Sequence, residues 1–165
     1  LYSDTFVIPE PYIPKATAKI MSLTEPARKM SKSDQEDSYI ALTDTPDTVR
    51  RKFRRAVTDS DAEIRFDPEN KPGVSNLLVI LSALGGERMD ALCTRLSGQG
   101  YGVLKEETAQ AVNAALAPIQ ERYQKLMADK GYLTAVLKNN AERAQMMALR
   151  TLRKVYKKIG LYQLP

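Results

Sequence analysis

From Val74 to Ile159 the apolar residues recur every three or four positions, segment after segment, and a chain patterned this way folds as packed helices. Val74, Leu77, Leu78, Leu81 and Leu84 form one stripe, which Gly85-Gly86 ends. Met89, Leu92, Cys93 and Leu96 mark a second, shorter helix that stops near Gly98. A long helix is predicted from about Leu104 to Asp129, with Leu104, Thr108, Val112, Ala115, Ile119, Tyr123 and Leu126 along one face. Pro118 lies inside it and should kink or split it, and Gly131 should close it. A last helix is predicted from near Asn140 to just before Gly160, with Ala144, Met147, Ala148, Thr151, Leu152, Val155 and Ile159 facing a core. The fold class is mainly α.

The first seventy residues read differently. Residues 1–15 hold Pro9, Pro11 and Pro14 and should be extended loop. Thr17 to Leu23 reads as one short strand centred on Ile20 and Met21. After it comes Glu25-Pro26-Ala27-Arg28-Lys29-Met30-Ser31-Lys32-Ser33-Asp34, a polar, basic stretch in which Pro26 disfavours regular structure. It is expected to be an exposed loop offering three cations and two hydroxyls to an anion. The glycines that let a backbone cradle phosphates are missing, so side chains must hold any phosphate here.

Thr45-Pro46-Asp47 is a helix start, with Thr as N-cap and Pro at the first helical position. The helix should reach about Val57, with Val49, Phe53, Ala56 and Val57 on its apolar face. Arg50, Arg51, Lys52, Arg54 and Arg55 are read as the rest of its surface. Two readings stand for them: contact with RNA phosphates, or a solvated face paired to Asp44, Asp47, Asp59 and Asp61. The last helix poses the same choice, since Arg143, Arg150, Lys154 and Lys157 line one of its faces, with Arg153 and Lys158 beside them. Residues 59 to 73 are acidic and rich in turn formers, and composition changes after them. A domain boundary is therefore expected there, dividing residues 1–72 from 73–165.

Lys29-Met30-Ser31-Lys32-Ser33 matches, letter for letter, the KMSKS signature of class I aminoacyl-tRNA synthetases. Ala18 to Leu23, Ala56 to Asp61 and Pro72 to Leu78 look like the tryptophanyl-tRNA synthetase branch, and the resemblance runs from Phe6 to Ile159. It implies that residues 1–72 are the C-terminal end of a Rossmann-type nucleotide-binding domain, a short strand plus the signature loop. Residues 73–165 would be a helical bundle that binds the tRNA anticodon.

The implied substrates are ATP with Mg²⁺, L-tryptophan and tRNA(Trp). Lys29 and Lys32 would be catalytic, and Ile20, Met21, Lys29, Met30, Ser31, Lys32 and Ser33 would bind ATP. Arg51, Arg54, Arg55, Arg150, Lys154 and Lys157 would meet tRNA, while Tyr101, Tyr123, Tyr132 and Tyr156 could stack on bases. Family members are homodimers. The rivals are a tyrosyl-tRNA synthetase and a non-catalytic helical RNA-binding module.

The chain contains no histidine, so it cannot supply the family's second signature, HIGH. It also begins at Leu1, and it is therefore expected to be the C-terminal half of a longer enzyme, inactive alone. Without histidine or a CxxC pair no protein-held metal site is expected, and Cys93, on an apolar stripe with no base to activate it, is read as packing. A single cysteine, no apolar run of membrane-spanning length and no signal-peptide pattern at Leu1-Tyr2-Ser3-Asp4 point to the cytoplasm. A net charge of +5 suits a polyanionic partner.

Overall fold

The structure, a computed structural model, describes residues 3–14 and 19–161. Its elements are a 3₁₀ turn at Glu36–Ser38 and five helices: α1 (Pro46–Arg55), α2 (Pro72–Gly85), α3 (Met89–Leu96), α4 (Tyr101–Ala128) and α5 (Lys130–Ile159). The chain divides into two compact units, one of residues 13–122 and one of residues 1–12 with 123–165.

In the larger unit the predicted stripes are buried. Leu77, Leu78, Leu92, Leu96 and Leu104 keep almost no exposed surface. Each such side chain removed from water contributes about 1.5–3 kcal/mol. Val49 and Phe53 carry the apolar face of α1 into the same core, and Cys93 packs partly buried against it. Thr45 caps α1 as predicted, its hydroxyl accepting from the Thr48 N–H at 3.2 Å. Gly86, at φ 71°, caps α2 in the left-handed region that favours glycine.

Several expectations are corrected. Thr17 and Ala18 lie outside the described residues, and among those described there is no strand. The segment from Ile20 to Leu23 is extended, with one isolated antiparallel bridge between Met21 and Lys29. Val57 falls beyond α1 and is half exposed. Lys52 is fully buried instead of lining the surface: its ammonium donates to the Tyr39 carbonyl (3.0 Å) and to Asp44 Oδ2 (2.7 Å) and lies 5.0 Å from the Tyr39 ring centre. A long aliphatic stem lets a lysine cross an apolar face when its head meets an anion at the far side.

Helix α4 runs through Pro118 without interruption. Pro118 and Ala114 are both exposed, so water can satisfy the Ala114 carbonyl that loses its partner.

In the smaller unit the last helix begins ten residues before the predicted start. Asp129 Oδ1 accepts from the Tyr132 N–H at 2.9 Å and restarts the helix at once, so Gly131 sits in its first turn and closes nothing. The expected core face of α5 is not buried: Met147 is 70% exposed, Ile159 and Leu152 stay substantially open, and Thr151 and Val155 are half-buried. Periodicity shows that a helix has an apolar face, not what covers it. Lys158 anchors the N-terminal segment by donating to the carbonyls of Ser3 (2.9 Å) and Asp4 (2.7 Å) and to Thr5 Oγ1 (2.7 Å).

Candidate functional site

The candidate site is the basic hairpin at residues 20–34, in the larger unit. Pro26 sits in its turn, which closes when the Arg28 N–H donates to the Glu25 carbonyl at 2.8 Å. The two arms pair on one side through Met30 N–H to the Ile20 carbonyl (2.9 Å) and Ser22 N–H to the Arg28 carbonyl (2.8 Å). The buried Ser22 hydroxyl accepts from the N–H groups of Thr24 and Glu25, filling the inside of the turn.

Alternation along an extended backbone sends the next polar groups to the opposite side. There the Met21 N–H donates to Asn76 Oδ1 and Asn76 Nδ2 donates back to the Met21 carbonyl, both at 2.8 Å. Leu23 follows the same rule: its N–H donates to the Ser38 carbonyl (2.9 Å), and its carbonyl accepts from the Val57 N–H (2.8 Å). The Ile20–Leu23 segment therefore has its hydrogen bonds met on both sides without belonging to a sheet.

The helix that supplies Asn76 is held close. A Cβ on Gly73 would lie well inside 3.0 Å of the Val57 carbonyl oxygen, so only glycine permits this approach. Lys71, just ahead of α2, is 2% exposed and donates to Asp59 Oδ1 (2.9 Å), to Asp61 Oδ1 and to the Tyr101 hydroxyl (2.9 Å). That hydroxyl donates to Asp59 Oδ1.

Lys71 heads the causes holding the Asp61 carboxyl below the ordinary carboxylate range, followed by the Glu63 N–H. Burial pushes the Asp59 carboxyl up, but hydrogen bonds from Tyr101 and Lys71 outweigh it and leave it low. Burial, then Asp59, pushes the Tyr101 phenol up to about 12. Tyr101, named as a base-stacking candidate, thus has its hydroxyl committed to this network.

The signature residues sort by partner. Arg28, counted as a free cation, is engaged by Glu25 (3.1 Å) and Asp34 (3.5 Å). Lys29 and Lys32 are exposed and make no ion pair among the described residues. The Ser31 hydroxyl accepts from the Ser33 N–H at 3.2 Å, Ser33 is exposed, and Met30 packs partly buried against the core. Ile20 and Met21 are half-buried. A polar cavity of about 110 Å³ lies within the hairpin, lined by Ser22, Thr24, Glu25, Arg28, Asp34, Gln35 and Ser38. Among the described residues no group of acidic, histidine or cysteine side chains is placed to hold a metal ion.

The α1 cations are partly spoken for. Asp37 takes Arg51 (3.0 Å) and Arg55 (2.9 Å), and Arg50 lies 3.6 Å from both Asp47 and Glu106. Arg54 makes no ion pair among the described residues. Even so, Arg50, Arg51, Arg54, Arg55 and Asp47 line one groove of about 400 Å³. In the smaller unit, Arg150, Lys154 and Lys157 are exposed on α5 and make no ion pair among the described residues, while Tyr123 and Tyr132 are half exposed. Sequence reasoning passed over Asn76. Its signal was present, since one asparagine inside the apolar run Val74–Leu81 must bury its amide against a partner.

The chain is similar to known proteins in sequence and in fold. A tryptophan–tRNA ligase of Caldanaerobacter subterraneus is 48% identical over 161 residues, 97% of this chain and 49% of the relative. The Mycobacterium leprae tryptophan–tRNA ligase is 50% identical over 160 residues, 96% of this chain and 47% of the relative. The crystal structure of Mycoplasma pneumoniae tryptophanyl-tRNA synthetase superposes with a TM-score of 0.75 at 33% identity, covering 90% of this chain and 45% of that one. A Campylobacter jejuni tryptophanyl-tRNA synthetase complexed with ADP and tryptophan gives a TM-score of 0.66 at 26% identity, covering 95% and 48%. The chain thus spans about half the length of the curated relatives it matches. The family model of tRNA synthetases class I (W and Y) matches residues 2–117, and the chain belongs to that family.

Proposed function

We propose that this chain is the KMSKS-bearing part of a tryptophan–tRNA ligase, which joins tryptophan to ATP as an aminoacyl-adenylate and passes it to tRNA(Trp). The observation that carries the proposal is the sorting of cations on the hairpin: among the described residues Lys29 and Lys32 have no anionic partner, while Arg28 beside them is paired.

The tryptophan carboxylate attacks the α-phosphorus of ATP, the bond to the β-phosphate oxygen breaks, and pyrophosphate leaves. A terminal ribose hydroxyl of tRNA then takes the aminoacyl group and AMP departs. Neither step needs a protein nucleophile; the first needs positive charge where the leaving group gains negative charge. Lys29 and Lys32 supply it as flexible point charges, and Ser31 and Ser33 donate hydroxyl hydrogen bonds to the same phosphates. Met30 and the backbone of Ile20 and Met21 border the nucleotide. Mg²⁺ arrives with ATP, held by phosphate oxygens and water.

Residues 1–72 serve as the C-terminal part of a Rossmann-type catalytic domain and residues 73–165 as the anticodon-binding domain. The α1 groove with Arg51, Arg54 and Arg55, and the α5 cations Arg150, Lys154 and Lys157, meet tRNA phosphates. The full-length protein acts as a cytoplasmic homodimer; no helix described is long and apolar enough to cross a membrane.

The test is amino-acid-dependent ATP–pyrophosphate exchange by the full-length protein. Exchange with tryptophan and not tyrosine is expected. Exchange with tyrosine alone would make it the tyrosine enzyme, and exchange with neither would leave an RNA-binding module.

A further inference from the structure

Asn76 is 5% exposed and sits among Val74, Leu77 and Leu78, where a carboxamide is costly unless all its bonds are met. Its two bonds go to the N–H and the carbonyl of one residue, Met21. That exchange is what one residue of a neighbouring antiparallel strand would provide, so Asn76 stands in for a missing strand at a single position. No other short side chain both donates and accepts in that fork.

Met21 is also the residue bridged to Lys29. The arm carrying Lys29 hangs on the opposite side of the same segment, through the bonds from Met30 to Ile20 and from Ser22 to Arg28. The Lys29 side chain is free, but its backbone is referred through Met21 to a buried amide on a helix. That helix is fixed in turn by the contact of Gly73 with the Val57 peptide, and Val57 bonds Leu23, two residues from Met21.

We propose that Asn76 is a positioning residue of the nucleotide site, its carboxamide setting the orientation of the Met21 peptide and, through it, the hairpin arm from which Lys29 reaches the leaving pyrophosphate. This rests on the function proposed above. Asn76 touches no substrate. It acts through Met21, and its loss lets the segment turn while Lys29 remains chemically intact.

The test is Asn76→Asp in the full-length protein. The variant retains an acceptor for the Met21 N–H and sets a second oxygen against the Met21 carbonyl where a donor stood. Should it fail to fold, by circular dichroism and thermal melting, Asn76→Ala takes its place, since it buries no charge. Tryptophan-dependent ATP–pyrophosphate exchange is measured well below the melting temperature of the variant.

A fall in kcat of about tenfold to a hundredfold is expected, the size of losing the charge-assisted contact that a well-placed Lys29 makes to the departing pyrophosphate, with KM for tryptophan unchanged. Adding Lys29→Ala to the variant should cost clearly less than Lys29→Ala alone, because both disturb one arrangement. An unchanged kcat, or strictly additive losses alongside nothing but a lower melting temperature, would overturn the positioning role and leave Asn76 a structural residue. No exchange by the unsubstituted protein with either tryptophan or tyrosine would overturn the function and this role together.

Discussion

Gly73→Ala should destabilise the larger unit although alanine is the better helix former. In the first turn of α2 the added methyl would lie well inside 3.0 Å of the Val57 carbonyl oxygen and 3.1 Å from its carbonyl carbon, both backbone atoms that cannot rotate away. Relief requires the helix end or the Val57 peptide to shift by about 1 Å, since interiors packed to crystal density hold no slack. Such a shift strains the Val57–Leu23 hydrogen bond and draws Asn76 from Met21, where bonds of 2.8 Å would open beyond useful length. Overpacking costs about 1–3 kcal/mol and each polar group left buried without a partner a further 1–3, against a helix-propensity gain of about 1 kcal/mol. The expected net loss is about 2–4 kcal/mol. Gly102→Ala is the matched control: it lies in the first turn of α4, where a Cβ meets nothing within 4 Å, and should gain up to about 1 kcal/mol. Urea unfolding of the full-length protein, followed by circular dichroism, reads both. Equal midpoints for the two variants would refute the close approach and the chain of contacts built on it.

Lys32→Ala should lower the rate constant for adenylate formation about tenfold to a hundredfold, since a charge-assisted bond is worth about 1.5–3 kcal/mol where it is made; an unchanged rate constant with weaker ATP binding would contradict a transition-state role. Ala62 has φ 62°, a left-handed conformation costing a non-glycine residue about 1–2 kcal/mol, so Ala62→Gly should stabilise by about 0.5–1 kcal/mol after the unfolded-state entropy of glycine is subtracted. A lower urea midpoint for that variant would refute the strain. Asp37, Asp59, Asp61 and Asp67 all bind protons less tightly folded than unfolded, so their contribution is present above about pH 4 and lost as pH falls further. Tyr101 is raised from 10.0 to about 12, so its contribution is complete below pH 10 and lost as pH rises toward 12. Melting temperature against pH should therefore fall at both ends, and a flat alkaline limb would count against the Tyr101 network.

The helical elements were legible because their signals are local. Thr45-Pro46 and Gly85-Gly86 set the bounds of α1 and α2 to within a residue or two. Local signals failed where tertiary partners decide. Pro118 is expected to kink or split its helix, yet it faces solvent and the helix is not split there. Lys52 was read as surface because five cations crowd six residues, and only the fold brings Asp44 and Tyr39 beneath it. The short strand expected over Thr17 to Leu23 is, where described, an extended segment with a single isolated bridge. A strand is defined by what pairs with it, and here one side is a hairpin arm and the other a side chain 55 residues away. The pentapeptide and Pro26 mark an exposed loop but not the pairing of its two arms, nor that Lys29 and Lys32 make no ion pair among the described residues, which depends on where Glu25 and Asp34 send their carboxylates.

That sorting of charge separates cations that build the molecule from cations it can offer. Lys52 and Lys71 are buried, so each must meet an anion or a carbonyl, and each joins segments distant in sequence. Arg28, Arg51 and Arg55 are exposed but paired, and a ligand phosphate would have to displace a carboxylate to use them. Lys29 and Lys32 pay neither cost. What they do lose on engaging a phosphate is side-chain freedom, about 2 kcal/mol for a long cationic chain. On the proposed mechanism that loss is offset best where the phosphate carries most charge, as pyrophosphate departs, so free lysines on a fixed hairpin favour the transition state over bound ATP. A paired arginine in either position would reverse the preference: it would need ligand charge merely to break its existing bond, and the rate would fall even with the positive charge kept.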